Sequence, residues 1–218
     1  IDSKEFAYAH GISDLHFGEG HLYRNEETEE MILKVPRLDN DEEQNQQRLE
    51  DCDIWSHIQH HFLVNLKKYD FDKKREVCST FWQIMLYYEY LPHTLSREIL
   101  YRKTNGLGFD ESEIFFVAKC LLSSLDFIQA KGQLHEDVRP FNVLISDDGI
   151  VKLLCNRILK AGMSQANMIR AHNLYEECYL SPMLLESLVS NNQPFAIPFK
   201  SDSFSVGLIL LEMATLRR

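Results

Sequence analysis

The chain has 218 residues, of which 44% are hydrophobic, and a formal net charge of −10. This length can bury one or two real cores, and the hydrophobic fraction is ordinary for a soluble protein. The excess of acids argues against a nucleic-acid partner, because phosphate backbones bind clustered Lys and Arg. No apolar run reaches transmembrane length, and the charged first residues do not resemble a signal peptide. Five cysteines without CxxC pairing favour free thiols in a reducing compartment, so we expect a cytoplasmic protein without a membrane partner.

The first part of the chain, to about Tyr90, predicts short strands and one helix. Residues 30–35 form a strand candidate that we expect to end at Pro36. Residues 42–58 predict a polar helix, and its few apolar anchors are Leu49, Ile54 and Ile58. Residues 80–90 are rich in aromatic and β-branched side chains, as strands prefer.

The second part of the chain predicts helices. Residues 113–130 carry apolar side chains at spacings of three and four, which is the helical period. Asp110 and Glu113 form a plausible capping pair at the start of this helix, and Gly132 is a plausible stop. Residues 203–215 predict another, very apolar helix. The pattern as a whole predicts an α+β protein.

The last predicted helix is apolar on nearly every side. A single stripe covers only part of a helix surface, so its apolar side chains cannot all face one core. We therefore expect downstream residues or a partner protein to cover the remainder. The side chains concerned are Val206, Leu208, Ile209, Leu210, Leu211 and Met213.

One segment resembles the catalytic loop of the protein kinases, written H-R-D-L-x-x-x-N, with His135, Asp137 and Asn142 in the matching places. This resemblance implies a bilobal kinase-like fold. Residues 1–91 would form the small β-rich lobe and the hinge. Residues 92–218 would form the helical lobe, which looks incomplete after the final apolar helix.

The resemblance assigns roles within this loop. Asp137 matches the catalytic base, and Asn142 matches the second metal ligand. The same two side chains can instead hold the loop by hydrogen bonds, and we favour this structural role. Arg139 replaces the usual lysine and keeps its charge with a different geometry. Glu136 replaces the arginine that grips an activation-loop phosphate, and a glutamate would repel that phosphate.

The metal site that the resemblance would imply lacks its main ligand in this sequence. Counting onward from Asn142 by the family's interval reaches Cys155, where active kinases have the D-F-G aspartate that holds Mg²⁺. A thiol cannot replace a hard carboxylate for Mg²⁺. Losing several kcal/mol of metal stabilisation corresponds to a rate loss of roughly hundreds-fold or more. His57, His60 and His61 are a second candidate for a metal site, but no thiolate or carboxylate spacing completes it, so no metal is expected.

A vestigial nucleotide site is implied in the first lobe. Lys34 ends a segment that resembles the V-A-I-K strand, and its helix partner would be either Glu50 or Asp51. Of the three glycines in the family's phosphate loop, only the third survives, as Gly18. Leu15 stands where the second would be and would crowd the phosphates.

The segment that joins the lobes resembles the kinase hinge, with Tyr88 as the bulky gatekeeper and Glu89 to Leu91 as the hinge itself. Adenine is held there by backbone groups, so side chains say little about binding. With Lys34 and Gly18, these residues would form the remnant of an ATP pocket. We expect no bound cofactor, and ATP to bind weakly, with a Kd above roughly 100 μM.

Two later segments also resemble kinase motifs. Residues 179–183 match the end of the activation segment, where Met183 replaces a glutamate. Residues 201–207 match the D-x-W-S-x-G helix, whose aspartate, here Asp202, would anchor the catalytic loop backbone.

The chain is thus identified as a pseudokinase, expected to act as a scaffold or allosteric partner for other proteins, including larger assemblies. Two alternatives stay open. One is a weak or unorthodox Ser/Thr kinase that still uses Lys34, Asp137 and Asn142. The other is a sensor that binds nucleotide without turnover. Nucleotide binding and phosphate transfer, measured together, separate the three hypotheses.

Overall fold

The structure is a computed structural model, and the residues it describes are 5–14, 17–28, 31–39, 42–75, 80–155, 158–159, 178–190 and 200–217. Contacts between residues divide the chain into two units. The first unit contains the described residues up to Gln59, Val64–Leu91 and residues 158–159. The second contains His60–Leu63, Pro92–Cys155 and the described residues from Cys178 onwards.

The first unit is built on a five-stranded antiparallel sheet with one helix, α1. The strand order is β1-β2-β3-β5-β4, so the middle strand is β3. Leu33, Ile84 and Leu86 are fully buried in its core. The elements are β1 Ala7–Asp14, β2 Gly18–Arg24, β3 Met31–Asp39, α1 Glu42–Ser56, β4 Leu66–Arg75 and β5 Thr80–Glu89. The strand predicted at residues 80–90 is therefore confirmed.

The prediction that the third strand ends at Pro36 is wrong. The strand continues to Asp39, and Pro36 lies opposite Met85 of β5. The register between β2 and β3 ends at Lys34, so among the described residues β3 pairs beyond this point with β5 alone. A proline is tolerated in such an edge-like stretch, because one side of the backbone needs no ladder hydrogen bond.

Helix α1 buries polar side chains where we had expected apolar anchors. Asn45, Arg48 and Asp51 are buried together with Cys52 and Trp55. The predicted anchor Ile54 is exposed. The helix ends at Ser56, two residues before the predicted end. Of the other two predicted anchors, Ile58 is buried just beyond the helix and Leu49 is half-buried, so the weak apolar pattern predicted the helix but only part of its buried face.

The second unit contains four helices and a small three-stranded sheet in the order β6-β7-β8 among its described residues. Leu63 forms a parallel bridge with Leu153 of β8. The elements are β6 His93–Thr94, α2 Leu95–Asn105, α3 Glu111–Ala130, a 3₁₀ helix Pro140–Asn142, β7 Val143–Ile145, β8 Val151–Leu153, α4 Pro182–Val189 and α5 Lys200–Thr215.

Helix α3 begins with the predicted capping pair. The Asp110 carboxylate accepts a hydrogen bond from the Glu113 amide at 2.9 Å, and the Glu113 carboxylate accepts from the Asp110 amide at 2.8 Å. This reciprocal capping box satisfies two donors at the helix start. Gly132, just after the helix, has φ +72°, a conformation that favours glycine. Of the apolar side chains at helical spacing, Val117, Leu121, Leu125 and Ile128 are buried, and Ile114 is half-buried.

Helix α5 confirms that one core cannot hold all of its apolar side chains. Val206, Ile209 and Met213 are buried, whereas Leu211 is 59% exposed. The helix begins at Lys200, three residues before the predicted start. Among the described helices, none combines the length and the apolar character that crossing a membrane requires.

Candidate functional site

The backbone of the loop around His135 is anchored by a carboxylate on α5. Asp202 accepts a hydrogen bond from the His135 amide at 2.9 Å and one from the Glu136 amide at 3.0 Å. The predicted anchoring role of Asp202 is confirmed. Glu136 has φ +64°, which costs a non-glycine residue roughly 1 kcal/mol or more. The two charge-assisted bonds offset this strain and fix the turn.

The Asp137 side chain is buried among side chains of its own loop. Its Oδ2 accepts a hydrogen bond from Asn142 Nδ2 at 2.7 Å, and the same amide nitrogen lies 2.7 Å from the Asp137 carbonyl. Its Oδ1 lies 3.0 Å from Arg139 Nε in a buried ion pair. The Arg139 guanidinium also lies over the Phe141 ring, 5.0 Å from the centroid. Both carboxylate oxygens of Asp137 are therefore in contact with groups of the loop itself.

The predicted D-F-G position lies beside this loop. The Leu154 amide donates to the Asn142 carbonyl at 2.8 Å, so the next residue, Cys155, is brought close to Asn142. His135 links the same segments, because its Nδ1 accepts from the Asp137 amide and its Nε2 lies 3.0 Å from the Leu154 carbonyl. These partners assign the Nε2–H tautomer to His135. Cys155 itself is buried.

A magnesium ion does not fit these side chains. Mg²⁺ takes oxygen ligands in near-octahedral geometry and is normally held by carboxylates. Cys155 presents sulfur at the expected position of the metal-binding aspartate.

Two of the three histidines of the candidate metal site, His57 and His60, have other partners. His57 Nδ1 lies 2.7 Å from the Asp53 carbonyl, and His60 stacks on Phe127 with 4.9 Å between ring centroids. Burial, His61 and Lys152 lower the pKa of His60, which favours its neutral form. Within the described ranges, no group of three His, Cys, Asp or Glu side chains has an arrangement suited to a metal ion.

Lys34 lies in the middle of the sheet of the first unit. Its ammonium is 5.7 Å from the centroid of the Tyr87 ring on β5, within the range of a cation–π contact. Burial, and then the Asp70 carboxylate, raise the pKa of Tyr87 to about 12, so the phenol is neutral at physiological pH.

The two candidate helix partners of Lys34 differ sharply in burial. Glu50 is exposed and accepts a hydrogen bond from Gln46 one turn earlier at 3.2 Å. Asp51 is buried, close to Arg48 and Cys52. Burial raises the pKa of the Cys52 thiol to about 12, with Arg48 opposing this shift and Asp51 adding to it. Asp51 is thus the carboxylate that faces the interior.

The phosphate-loop remnant contains a residue that the sequence reasoning missed. Gly18 begins β2 with φ +71°, while Leu15 lies outside the described residues. The preceding residue, Phe17, is 1% exposed and packs against Tyr88, with 5.3 Å between ring centroids. The sequence feature that could have indicated this packing is an aromatic residue directly before the surviving glycine.

The predicted hinge residues are held by neighbours within the first unit. The Glu89 amide donates to the Asn65 carbonyl at 3.1 Å, and the Glu89 carboxylate accepts from the Asn65 amide at 3.3 Å. The Tyr90 amide donates to the Met31 carbonyl at 3.0 Å, and Leu91 is buried. The Glu89 side chain therefore has a structural role in this unit.

The predicted end of the activation segment is joined to α5 by buried polar groups. Ser205 Oγ donates to the Tyr179 carbonyl at 2.5 Å, and the hydroxyls of Ser181 and Ser201 lie 2.9 Å apart. The Tyr179 hydroxyl donates to the buried Glu212, a partner that the sequence did not suggest. Met183, just inside α4, is exposed.

Comparison with known proteins decides the family. A family model described as the protein kinase domain matches residues 16–218, which is nearly all of the chain. The chain belongs to the protein kinase family. The sheet unit and the helical unit accordingly correspond to the two lobes of a bilobal, kinase-like α+β fold, as predicted.

The relatives of this kinase-family chain are distant. It is similar to serine/threonine-protein kinase 10 of Xenopus tropicalis, with 25% identity over 93% of the chain and 20% of that kinase. It is also similar to serine/threonine-protein kinase Nek9 of Mus musculus, with 24% identity over 93% of the chain and 19% of that kinase. Germinal center kinase 3 of Caenorhabditis elegans shares 25% identity over 54% of the chain and 21% of that kinase. The chain spans about a fifth of the length of these relatives.

Proposed function

We propose that this kinase-family chain is catalytically inactive and serves as a scaffold or allosteric partner for other proteins. The observation that carries the proposal is Cys155, which offers sulfur in place of the oxygen ligands that Mg²⁺ requires and directly follows Leu154, whose amide donates to the Asn142 carbonyl. The Asp137 carboxylate supports the proposal, because its two oxygens contact Arg139 and Asn142 within the loop.

Two parts of the phosphoryl-transfer machinery are affected. A catalytic base must reach the hydroxyl proton of its substrate, and Asp137 is buried and turned towards its own loop. The metal ions of a kinase bridge and neutralise the phosphates, and the cysteine removes one of their ligands. Stabilisation of several kcal/mol is lost with the metal, which corresponds to a rate loss of roughly hundreds-fold or more.

Nucleotide binding is also expected to be weak. The buried Phe17 ring packs on Tyr88 within the first unit, where the resemblance implies the gatekeeper of an ATP site. An aromatic side chain fixed there takes up volume that a nucleotide would need. Together with the poor fit to Mg²⁺, this supports a Kd for ATP above roughly 100 μM.

A cytoplasmic setting is part of the proposal. Four cysteines lie in the described residues, at positions 52, 120, 155 and 178, and all four are free thiols. Free, mostly buried thiols are typical of reducing compartments. Two of the three relatives are named serine/threonine-protein kinases, and this chain departs from the kinase pattern at Cys155 and Glu136.

A phosphate-transfer assay with labelled ATP and generic protein substrates tests the proposal. We expect the purified chain to give no signal above that of its Asp137→Asn variant. Turnover that disappears in Asp137→Asn would contradict inactivity and support the weak-kinase alternative. As a corollary, Cys155→Asp alone should not restore turnover, since Glu136 and the glycine-poor loop remain.

A binding assay separates the scaffold from a nucleotide sensor. Thermal shift of the chain is measured with ATP, with and without Mg²⁺, and compared with Lys34→Ala. We expect no stabilisation at micromolar ATP. Micromolar, Mg²⁺-dependent binding that is lost in Lys34→Ala would favour the sensor.

A further inference from the structure

The five-stranded sheet of the first unit has two edge strands of opposite character. The sequence of β4 has seven charged residues among its ten, namely Lys67, Lys68, Asp70, Asp72, Lys73, Lys74 and Arg75. The sequence of β1 has one charged residue among its eight, Asp14, at the end of the strand. Charged side chains, lysine above all, protect edge strands against pairing with another chain. The β4 edge therefore has this protection, and the β1 edge lacks it.

The β1 edge is open to solvent. Among the described residues, β1 pairs with β2 alone. Residues Ala7 to Gly11 and Ser13 are exposed, and Ile12 is half-buried. A bulge between Tyr8 and His10 is an irregularity of the kind that protects edges, but the pairing with β2 is regular from His10 to the end of the strand. The outer side of β1 thus offers backbone N–H and C=O groups to another strand.

The side chains along this edge allow a second strand to come close. Gly11, in the middle of β1, has no side chain that would keep another backbone away. Tyr8 is 58% exposed, and its ring centroid lies 5.8 Å from that of Tyr23 and 6.0 Å from that of His21. Exposed aromatic rings of this kind contribute apolar area at protein interfaces. The edge therefore combines backbone groups with an aromatic cluster on one face of the sheet.

The charge pattern favours a second copy of this chain as the occupant. In an antiparallel pair of β1 strands centred on Gly11, the two copies of Asp14 lie at opposite ends, roughly 20 Å apart at 3.3 Å per residue. This distance exceeds the Debye length of about 8 Å at physiological salt, so their repulsion is largely screened. A charged strand of another protein would gain no attraction from this neutral edge.

The other edge of the sheet limits such an assembly to two copies. The sequence of β4 has five basic and two acidic residues, so its net positive charge repels a second β4. Pairing then uses one edge in each copy, and a two-fold axis relates the two identical surfaces. The result is a closed dimer and not a growing sheet.

We propose that two copies of this chain associate by antiparallel pairing of their β1 strands, about a two-fold axis near Gly11. The two five-stranded sheets become one continuous sheet, and Tyr8 of each copy adds apolar contact beside the paired strands. The interface is small, so the dimer is weak and reversible. This inference goes beyond the proposed function, because it does not depend on whether the chain transfers phosphate.

Sedimentation velocity of the whole chain over a series of concentrations tests the proposal. We expect a monomer–dimer equilibrium with a Kd on the order of 10 μM. Gly11→Lys should weaken the dimer about fivefold, because it places like charges close together across the axis. A Cβ atom at this residue would lie 3.8 Å from the Gly20 carbonyl oxygen, which is an ordinary contact, so the variant should fold. Thermal melting verifies this.

A charge-reversal pair separates the interface from general damage to the chain. Gly11→Glu alone should weaken the dimer as Gly11→Lys does. An equimolar mixture of the two variants should restore association to at least the wild-type level, because opposite charges then meet across the axis. Anisotropy of fluorescein-labelled Gly11→Lys, titrated with Gly11→Glu, measures the mixed dimer. Damage within one monomer could not be repaired by mixing.

Two control variants place a charge on other surfaces. Asp72→Lys changes the charge of an exposed residue on the β4 edge. Leu211→Glu places a charge on the exposed apolar part of α5. Both variants should keep the wild-type Kd.

Four outcomes would overturn the proposal. They are a chain that stays monomeric at all concentrations, equal association of Gly11→Lys and wild type, a mixture that restores nothing, and a dimer that Leu211→Glu dissociates. The last of these would assign the association to α5. None of them bears on phosphate transfer, so a failure here is distinguishable from a failure of the proposed function.

Discussion

The helical unit contains a cavity of about 550 Å³ that is lined by α2, α3 and the turn between β7 and β8. The catalytic-loop region and this cavity use polar side chains in opposite ways. In the loop, Asp137 and Asn142 turn inward and bind each other, while Asp202 holds the backbone. At the cavity, Asp147 and Tyr101 are exposed at the rim. The residues that carry the kinase resemblance therefore stabilise the lobe.

The largest expected effect comes from removing the loop anchor. Asp202→Ala removes the carboxylate that binds the buried His135 amide and the partly buried Glu136 amide, and it leaves the strained backbone at Glu136 uncompensated. We expect the free energy of unfolding to fall by about 3 kcal/mol. Urea denaturation measures it. Ser203→Ala, exposed on the same helix, should change stability by less than about 0.5 kcal/mol. A loss below about 1 kcal/mol for Asp202→Ala would mean that the loop does not depend on this anchor.

The second-largest expected effect is that of Asp137→Asn on the free energy of unfolding, and its sign tells whether Asp137 has a structural or a catalytic role. Asp137→Asn removes the charge that pairs with the buried Arg139, so we expect a loss of about 2 kcal/mol in the free energy of unfolding. An aspartate kept for catalysis commonly costs stability, and its neutralisation would then be neutral or stabilising. The exposed Asp126→Asn serves as the control for a simple change of charge. If Asp137→Asn were instead more stable than the wild type, Asp137 would be an aspartate kept for catalysis. The contrast between the loop and the cavity would then not hold.

The smallest expected effect on the free energy of unfolding comes from the ion pairs that Arg102 makes with Glu98 and Glu113, and this effect depends on pH. Hydrogen bonding to Arg102 is the main cause that lowers the pKa of Glu113 below its ordinary value of 4.5. Because the folded-state pKa is lower than the unfolded one, this stabilisation is fully present above the unfolded pKa. It is lost as the pH falls through the folded pKa.

Arg102→Met removes these ion pairs and the contact of the guanidinium with the Phe109 ring. We expect a loss of about 0.5–1 kcal/mol at pH 7, kept small because the glutamates are partly exposed and screened. The difference between wild type and variant should shrink as the pH falls below 4.5. Urea unfolding between pH 7 and pH 3 measures it. A difference that stays constant with pH would assign the effect to lost packing on Phe109 and not to the ion pairs.

Local sequence signals predicted much of the fold and of the loop. The capping box joins Asp110 and Glu113, which lie within one turn of each other, so a local sequence pattern is enough to predict it. The anchoring role of Asp202 followed from the kinase resemblance, which links two distant motifs through a single known contact. The strand at residues 80–90 followed from its residue types alone.

Only the tertiary structure decided features that depend on neighbours far along the chain. Pro36 lies inside a strand because β2 stops pairing at Lys34, and Asp51 rather than Glu50 is buried because α1 turns a polar face inward. Phe17 meets Tyr88, and the elements from His93 to Met213 enclose a cavity, through contacts between segments widely separated in sequence. Periodicity and motifs report what a segment favours by itself. The partner that each side chain meets is fixed by long-range packing, which leaves no signature in the residues of one segment.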